Sequence, residues 1–291
     1  MANSVAIAQH PIDVQKASAD GEHFKAITTY LAVPDRRVET DTRVAAAKSS
    51  WALGLHQQAA QEIDHILRGQ EISETERARL TLTRGVIEFQ EEHYREAALY
   101  AEKGITLLKV SSPLRSRCYL LWGQALERVN SLGTAEEKIK KALTEADQED
   151  ISEVHFGLGE IQMRLGKLSE AEENLKAIPL EHDRAPRAIR DLVSITLESE
   201  QFDKAKQWLE KGKSEFPEIF FDSWTDYGFL RAALAEGELL AARRILDSAV
   251  KQYPTADSSL VLMQAAIERS EWERRAQLAP NTTMKPSRKG E

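Results

Sequence analysis

Seven histidines, one cysteine and several adjacent carboxylates are the residues of this 291-residue chain that could do chemistry. A hydrolytic or structural zinc site needs HExxH or paired CxxC spacing, and the chain has neither. His23, His56 and His93 each stand at the entry to an apolar-periodic segment of helix length, where a ring serves packing. The carboxylate pairs Glu91-Glu92, Glu136-Glu137 and Glu172-Glu173 fall at helix starts or on outward faces. There they favour the positive end of the helix dipole and stay solvated, whereas an acid/base pair needs burial or a close neighbour to shift its pKa. No phosphate-binding GxxxxGK[ST] or GxGxxG loop and no nucleophile elbow is present, and Gly157-Leu158-Gly159 lies inside a helical pattern. Neither catalysis, a metal nor a cofactor is expected.

The bulk properties agree with that expectation. Hydrophobic residues at 42% and charged residues at 30% describe a folded chain rather than a disordered one. A net charge of −8 and a pI near 5.6 oppose broad nucleic-acid binding, which needs Lys and Arg to displace phosphate counterions. Cys118, the single cysteine, excludes an intrachain disulfide. The first residues, Met1 to Ile7, lack the basic start and apolar core of a signal peptide, and no run approaches the ~18 apolar residues that span a bilayer. A cytoplasmic protein without membrane insertion is expected.

The elements that hold these residues repeat. Ala26, Ala59, Ala97, Ala135, Ala171, Ala205 and Ala242 are spaced by 33, 38, 38, 36, 34 and 37 residues. Each follows a turn-like stretch: Gly21-Glu22-His23, Gly54-Leu55-His56, Glu92-His93-Tyr94, Asn130-Ser131-Leu132, Gly166-Lys167-Leu168, Glu200-Gln201-Phe202 and Gly237-Glu238-Leu239. Gly and Asn there tolerate the left-handed backbone that ends a helix. Four residues after each alanine stand Tyr30, Ile63, Ala101, Ile139, Leu175, Leu209 and Leu246, and three further on Val33, Ile66, Gly104, Ala142, Ile178, Gly212 and Ala249. Spacings of 4 and 3 put all of them on one helical face. Pro34, Pro179, Pro217 and Pro254 close units, and the early placement of Pro34 and Pro179 predicts shortened helices before them.

This skeleton resembles the tetratricopeptide repeat (TPR) family, most clearly in His155-Phe156-Gly157-Leu158-Gly159 followed by Gly166-Lys167-Leu168-Ser169-Glu170-Ala171. Trp122-Gly123 and Leu158-Gly159 match the family's large–small pair. The resemblance implies an all-α protein: an α-solenoid, a right-handed superhelix of about seven TPR helix-turn-helix units plus a C-terminal capping helix. The solenoid is expected over residues 7–278, with repeats at about 7–39, 40–75, 78–112, 116–149, 152–185, 186–219 and 223–255, a capping helix at 256–278 and a disordered tail at 279–291.

In TPR proteins the first helices line a groove that holds a partner. Carried over, that pattern implies partner contacts at Arg79, Phe89, Arg117, Gln124, Arg128, Phe156, Met163, Arg164, Arg187, Arg190, Trp224, Tyr227 and Arg231. Seven arginines suggest an acidic segment held by bidentate contacts. Glu127, Glu153, Glu160, Asp191 and Glu198 fall in the same groove, so ion pairs between neighbouring helices are the alternative. No lysine/asparagine pair matches the carboxylate clamp of chaperone-binding TPRs. A second candidate lies in Phe216–Phe229, where six of the chain's 19 aromatics crowd into 14 residues; exposure of both Phe220 and Phe221 would mark a binding surface. The expected function is a non-enzymatic adaptor, scaffold or assembly factor that holds an extended or helical protein segment. A self-associating TPR protein forming a homo-oligomer is the alternative.

Overall fold

The computed structural model describes residues 12–32, 39–69, 72–253 and 258–278. Residues 7–11, Val33, Pro34, Pro254 and the expected disordered tail at 279–291 lie outside the described residues. The described chain is helical, with no strand among the described residues. It forms two compact units, Met1–Lys167 and Leu168–Glu291. The first contains α1 (residues 12–19), α2 (His23–Leu31), α3 (Thr40–Ala52), α4 (His56–Arg68), α5 (Glu74–Gln90), α6 (Tyr94–Leu107), α7 (Pro113–Arg128), α8 (Leu132–Glu145) and α9 (Ile151–Arg164). The second contains α10 (Leu168–Lys176), α11 (Ala185–Glu198), α12 (Phe202–Glu215), α13 (Ser223–Ala235), α14 (Leu239–Gln252) and α15 (Ser258–Leu278). Helices α2 and α10 have nine residues each, against 13 or 14 in the other second helices, as the early Pro34 and Pro179 predicted.

One turn recurs seven times. Gly21, Gly54, Glu92, Asn130, Gly166, Glu200 and Gly237 all have positive φ, between 56° and 78°. In each case the next residue's N–H reaches back five positions to a helix carbonyl, from Glu22 to Ala17, Leu55 to Ser50, His93 to Glu88, Ser131 to Leu126, Lys167 to Gln162, Gln201 to Thr196 and Glu238 to Ala233. These bonds, 2.8–2.9 Å long, satisfy carbonyls that a helix end would leave unpaired. The left-handed residue turns the chain so that the following helix starts at once.

The alanine five residues later is the pivot of each pair. All seven repeat alanines are fully buried. The positions four and seven residues on are buried too, wherever the residue is described. In two of the pairs a glycine on the first helix meets the alanine. A Cβ on Gly85 would lie 2.9 Å from Tyr100 Cβ and 3.4 Å from Ala97 O. On Gly123 it would lie 3.1 Å from Ala135 O and inside the van der Waals envelope of Ile139. Second helices use the same device against the next repeat. On α6, Gly104 leaves the room that Cys118 Sγ of the next repeat occupies; conversely, Gly228 on the first helix α13 leaves room for Leu209 of the preceding second helix. Burial pushes the Cys118 thiol up to about 12 from 9.0, as an apolar site does to any thiol.

Within each unit consecutive helices touch, and first helices also touch one another: α5 with α7 and α7 with α9, then α11 with α13 and α13 with α15. Among the described residues no two second helices make such contacts. The first helices therefore form the closer-packed, inner face of each stack.

Gly123→Ala is expected to lower stability by roughly 1–2 kcal/mol, because overpacking outweighs the gain in helix propensity. Gly133→Ala, at the second residue of α8 with nothing within 4 Å of its Cβ, should instead raise it by up to about 1 kcal/mol. Thermal or urea melts of the two variants test this, and a Gly123→Ala variant as stable as the parent contradicts the crossing. Glu200→Gly removes a side chain held at φ 56° and should stabilise by about 1 kcal/mol in the same assay.

Candidate binding face

The inner face is built from residues spaced i, i+3 and i+7 on successive first helices, which a helical period of 3.6 places on one side. On α5 these are Arg79, Leu82 and Val86, on α7 Arg117, Leu120 and Gln124, and on α9 Glu153, Phe156 and Glu160. In the second unit the face carries Arg187, Arg190 and Ser194 on α11 and Trp224, Tyr227 and Arg231 on α13. Apolar residues occupy the middle position through the first unit. Charge occupies the outer one.

Most of the arginines are already engaged. Arg117 donates to Asp150 at 2.6 Å and lies 3.6 Å from Glu149, tying α7 to the entry of α9. Arg164 donates to Glu127 Oε1 at 2.8 Å and to Asn130 Oδ1 at 3.1 Å, tying the ends of α9 and α7. Arg190 donates to Asp222 at 2.6 Å and to the Ile219 carbonyl at 2.5 Å, and its guanidinium lies 4.8 Å from the Trp224 ring centre and 5.1 Å from that of Phe220. Arg128 stacks over Phe89 at 5.8 Å, and Arg79 pairs with Glu76 at 2.8 Å. Arg187 also has a neighbour. The partners of Arg117, Arg164 and Arg190 lie about one repeat length away in sequence, so the arginines act as crossbeams between repeats. That separation was visible in the sequence; the pairing itself depended on the register of adjacent helices.

Two expected contacts need correction. Phe156 is 3% exposed and Phe220 is 1% exposed, so neither presents its ring to a partner. Phe220 is buried because α12 has glycine at its seventh position past Ala205. The Phe220 ring fills the space over Gly212 that any Cβ would take. Phe221 is 67% exposed. With only one of the two rings at the surface, the condition for an aromatic binding patch fails. Phe89, Gln124, Met163, Trp224, Tyr227 and Arg231 are half-buried, and Arg79, Arg117, Arg128, Arg164 and Arg187 are exposed.

The histidines hold turns. The His56 ring lies 5.2 Å from Trp51, His93 Nδ1 is 2.7 Å from Glu88, and His23 Nδ1 is 3.3 Å from Ser49. Among the described residues no group of three or more His, Cys, Asp or Glu could hold a metal ion. No described helix is long and apolar enough to cross a membrane. Sequence reasoning missed an open groove of about 280 Å³ between α6 and α7, lined by Tyr94, Leu99, Trp122, Leu126 and Val129 together with Arg95 and Glu102. Its residues come from two helices and a turn, so no single periodicity marks it.

Glu136 is the most perturbed carboxylate. Contrary to the expectation that it stays solvated, it is buried on α8, where Lys140 and Lys167 each donate to it at 2.7 Å, with Gln162 at 3.5 Å. Burial works to raise its pKa, but the hydrogen bonds from Lys140, Lys167 and Gln162 bring it down from 4.5 to about 2.

Among the described residues, seven successive helix pairs, each joined by a left-handed turn and carrying a buried alanine, make an all-α solenoid fold of the tetratricopeptide-repeat type. No protein-family model and no curated protein matches the sequence. Among solved structures, PilW, a widely conserved type IV pilus biogenesis factor, superposes with a TM-score of 0.61 at 17% identity, covering 79% of this chain and 100% of PilW. PilF of Pseudomonas aeruginosa superposes with a TM-score of 0.57 at 15% identity, covering 75% of this chain and 95% of PilF. At such identities the likeness is one of fold.

Because its folded pKa is depressed, Glu136 contributes fully above about pH 4.5 and loses its contribution as the pH falls towards 2. Glu136→Gln should cost about 1–2 kcal/mol at pH 7, after screening of the half-exposed lysines, and nearly nothing at pH 2. Urea midpoints at both pH values check this. An equal loss at both would mean that packing, not charge, makes the contact.

Proposed function

We propose that this protein is a non-enzymatic adaptor or assembly factor that holds an extended or helical segment of another protein on its first-helix face. The observation that supports this reading most is the state of that face. Arginine crossbeams fix neighbouring first helices within each unit, while Leu82, Val86 and Gln124 in the first unit and Trp224 and Tyr227 in the second stay half-exposed. A rigid surface with partly exposed apolar and aromatic side chains binds at low entropic cost, since its side chains are already ordered. Because Arg79, Arg117, Arg164 and Arg190 have partners, an acidic ligand reading must rest on something other than their number.

Self-association is the second reading, and a separate feature favours it. Helix α15 exposes Val261, Leu262 and Trp272 at 64%, 50% and 70%. Large apolar side chains gathered on one terminal helix are the kind of surface a second copy covers.

Photo-crosslinking amino acids placed singly at Gln124, Tyr227, Trp272 and the outward-facing Glu137 distinguish the two. The groove reading expects a common heterologous product from Gln124 or Tyr227 and none from Glu137. Crosslinks confined to Trp272, with a second copy as the only product, would replace it by the homo-oligomer. Products from Glu137 alone would sink both.

A further inference from the structure

We infer that Arg231, with Tyr227 one turn before it on α13, forms a subsite that reads an Asp or Glu side chain next to an apolar residue in the bound segment. The inference rests on the partner-holding face proposed above and specifies what one part of it recognises.

Arg231 stands apart from the other arginines on the face. Arg79, Arg117, Arg164 and Arg190 meet carboxylates, Arg128 meets a ring, and Arg187 has a neighbour. Arg231 alone among these seven has no ion pair, hydrogen bond or ring contact among the described residues, although it is half-buried. A guanidinium partly withdrawn from water and left without an acceptor is poised for a charge-assisted, bidentate bond to an incoming carboxylate.

Its surroundings specify the rest of the ligand. Tyr227, four residues earlier, packs the body of its ring on the Leu230–Met263 core and makes no hydrogen bond through its hydroxyl among the described residues. Trp224 follows on the same row, steadied by the Arg190 stack. Two aromatic side chains beside one unpaired cation suit an apolar side chain adjacent to the acid. The number of cations decides which kind of carboxylate. A chain-terminal carboxylate is held by several converging donors, and the nearby Arg190 is committed to Asp222 and Ile219. One free fork suits one side-chain carboxylate within a segment.

Two phage-displayed libraries of random 12-residue peptides test this against the full chain, one with peptides fused through their C-termini and one with C-termini free. The first library should enrich Asp or Glu within three residues of Phe, Trp, Leu or Ile. Amidated synthetic copies should bind Arg231→Gln at least about tenfold more weakly, Arg231→Lys with an intermediate loss, and Arg244→Gln, at an exposed position of α14 away from the face, unchanged. Arg231→Gln should also melt with the parent, as befits a side chain without internal partners. A lower melting temperature would assign Arg231 a structural role and overturn the subsite. Enrichment from the free-terminus library alone would replace the internal acid by a chain terminus. Peptides that crosslink to Gln124 or Tyr227 yet bind Arg231→Gln normally would overturn the subsite while leaving the binding face standing. No enrichment from either library, with no crosslink at those positions, would remove both.

Discussion

The structure depends on how closely two helices can approach at a buried alanine. Each repeat brings the second helix so near the first that, in the pairs opened by Ala97 and Ala135, even a methyl group on the facing glycine would collide with its neighbours. Such a crossing needs the chain to reverse at once, and the left-handed residue five positions earlier provides the reversal. Three of the seven left-handed positions carry Glu or Asn rather than Gly, so packing of the pair outweighs a local backbone cost of about 1–2 kcal/mol. Everything downstream inherits its direction from that turn. The face of the second helix that points inward, the position of the next first helix and the row of side chains left facing a partner all follow from it.

Contacts between repeats are of a second kind. Apolar burial holds each stack together but is indifferent to small slides of one helix along another. The polar ties are directional. Arg117 with Asp150, Arg164 with Glu127 and Asn130, and Glu136 between Lys140 and Lys167 each fix one repeat against the next at a defined register. Where the pattern is interrupted the chain compensates locally, as when the Phe220 ring enters the space over Gly212 and Arg190 closes over it.

Much of the fold could be read from the sequence because its signals are local and repeated. The seven alanines, their followers at 4 and 7 residues, the turn glycines and the short helices before Pro34 and Pro179 all concern one helix and its own dihedral angles. Position on a helical face follows from the 3.6-residue period alone. What a residue does on that face does not follow. Seven arginines could be placed on the inner rows, yet nothing in their spacing separated Arg190, which closes over Phe220 and Trp224, from Arg231, which has no such contact among the described residues. Phe156 and Phe220 had the composition of contact residues and proved to be core, because burial depends on what the neighbouring repeat brings up against them.

The sequence by itself therefore determined the architecture: an all-helical array of TPR units, their turns, and the rows from which side chains project. Tertiary structure decided which of those side chains are spent holding the array together and which are left at its surface. The physical reason is range. Helix periodicity and turn chemistry act over a few residues, whereas an ion pair or a filled hole joins residues about one repeat apart, and its existence depends on a register that only the packed helices fix.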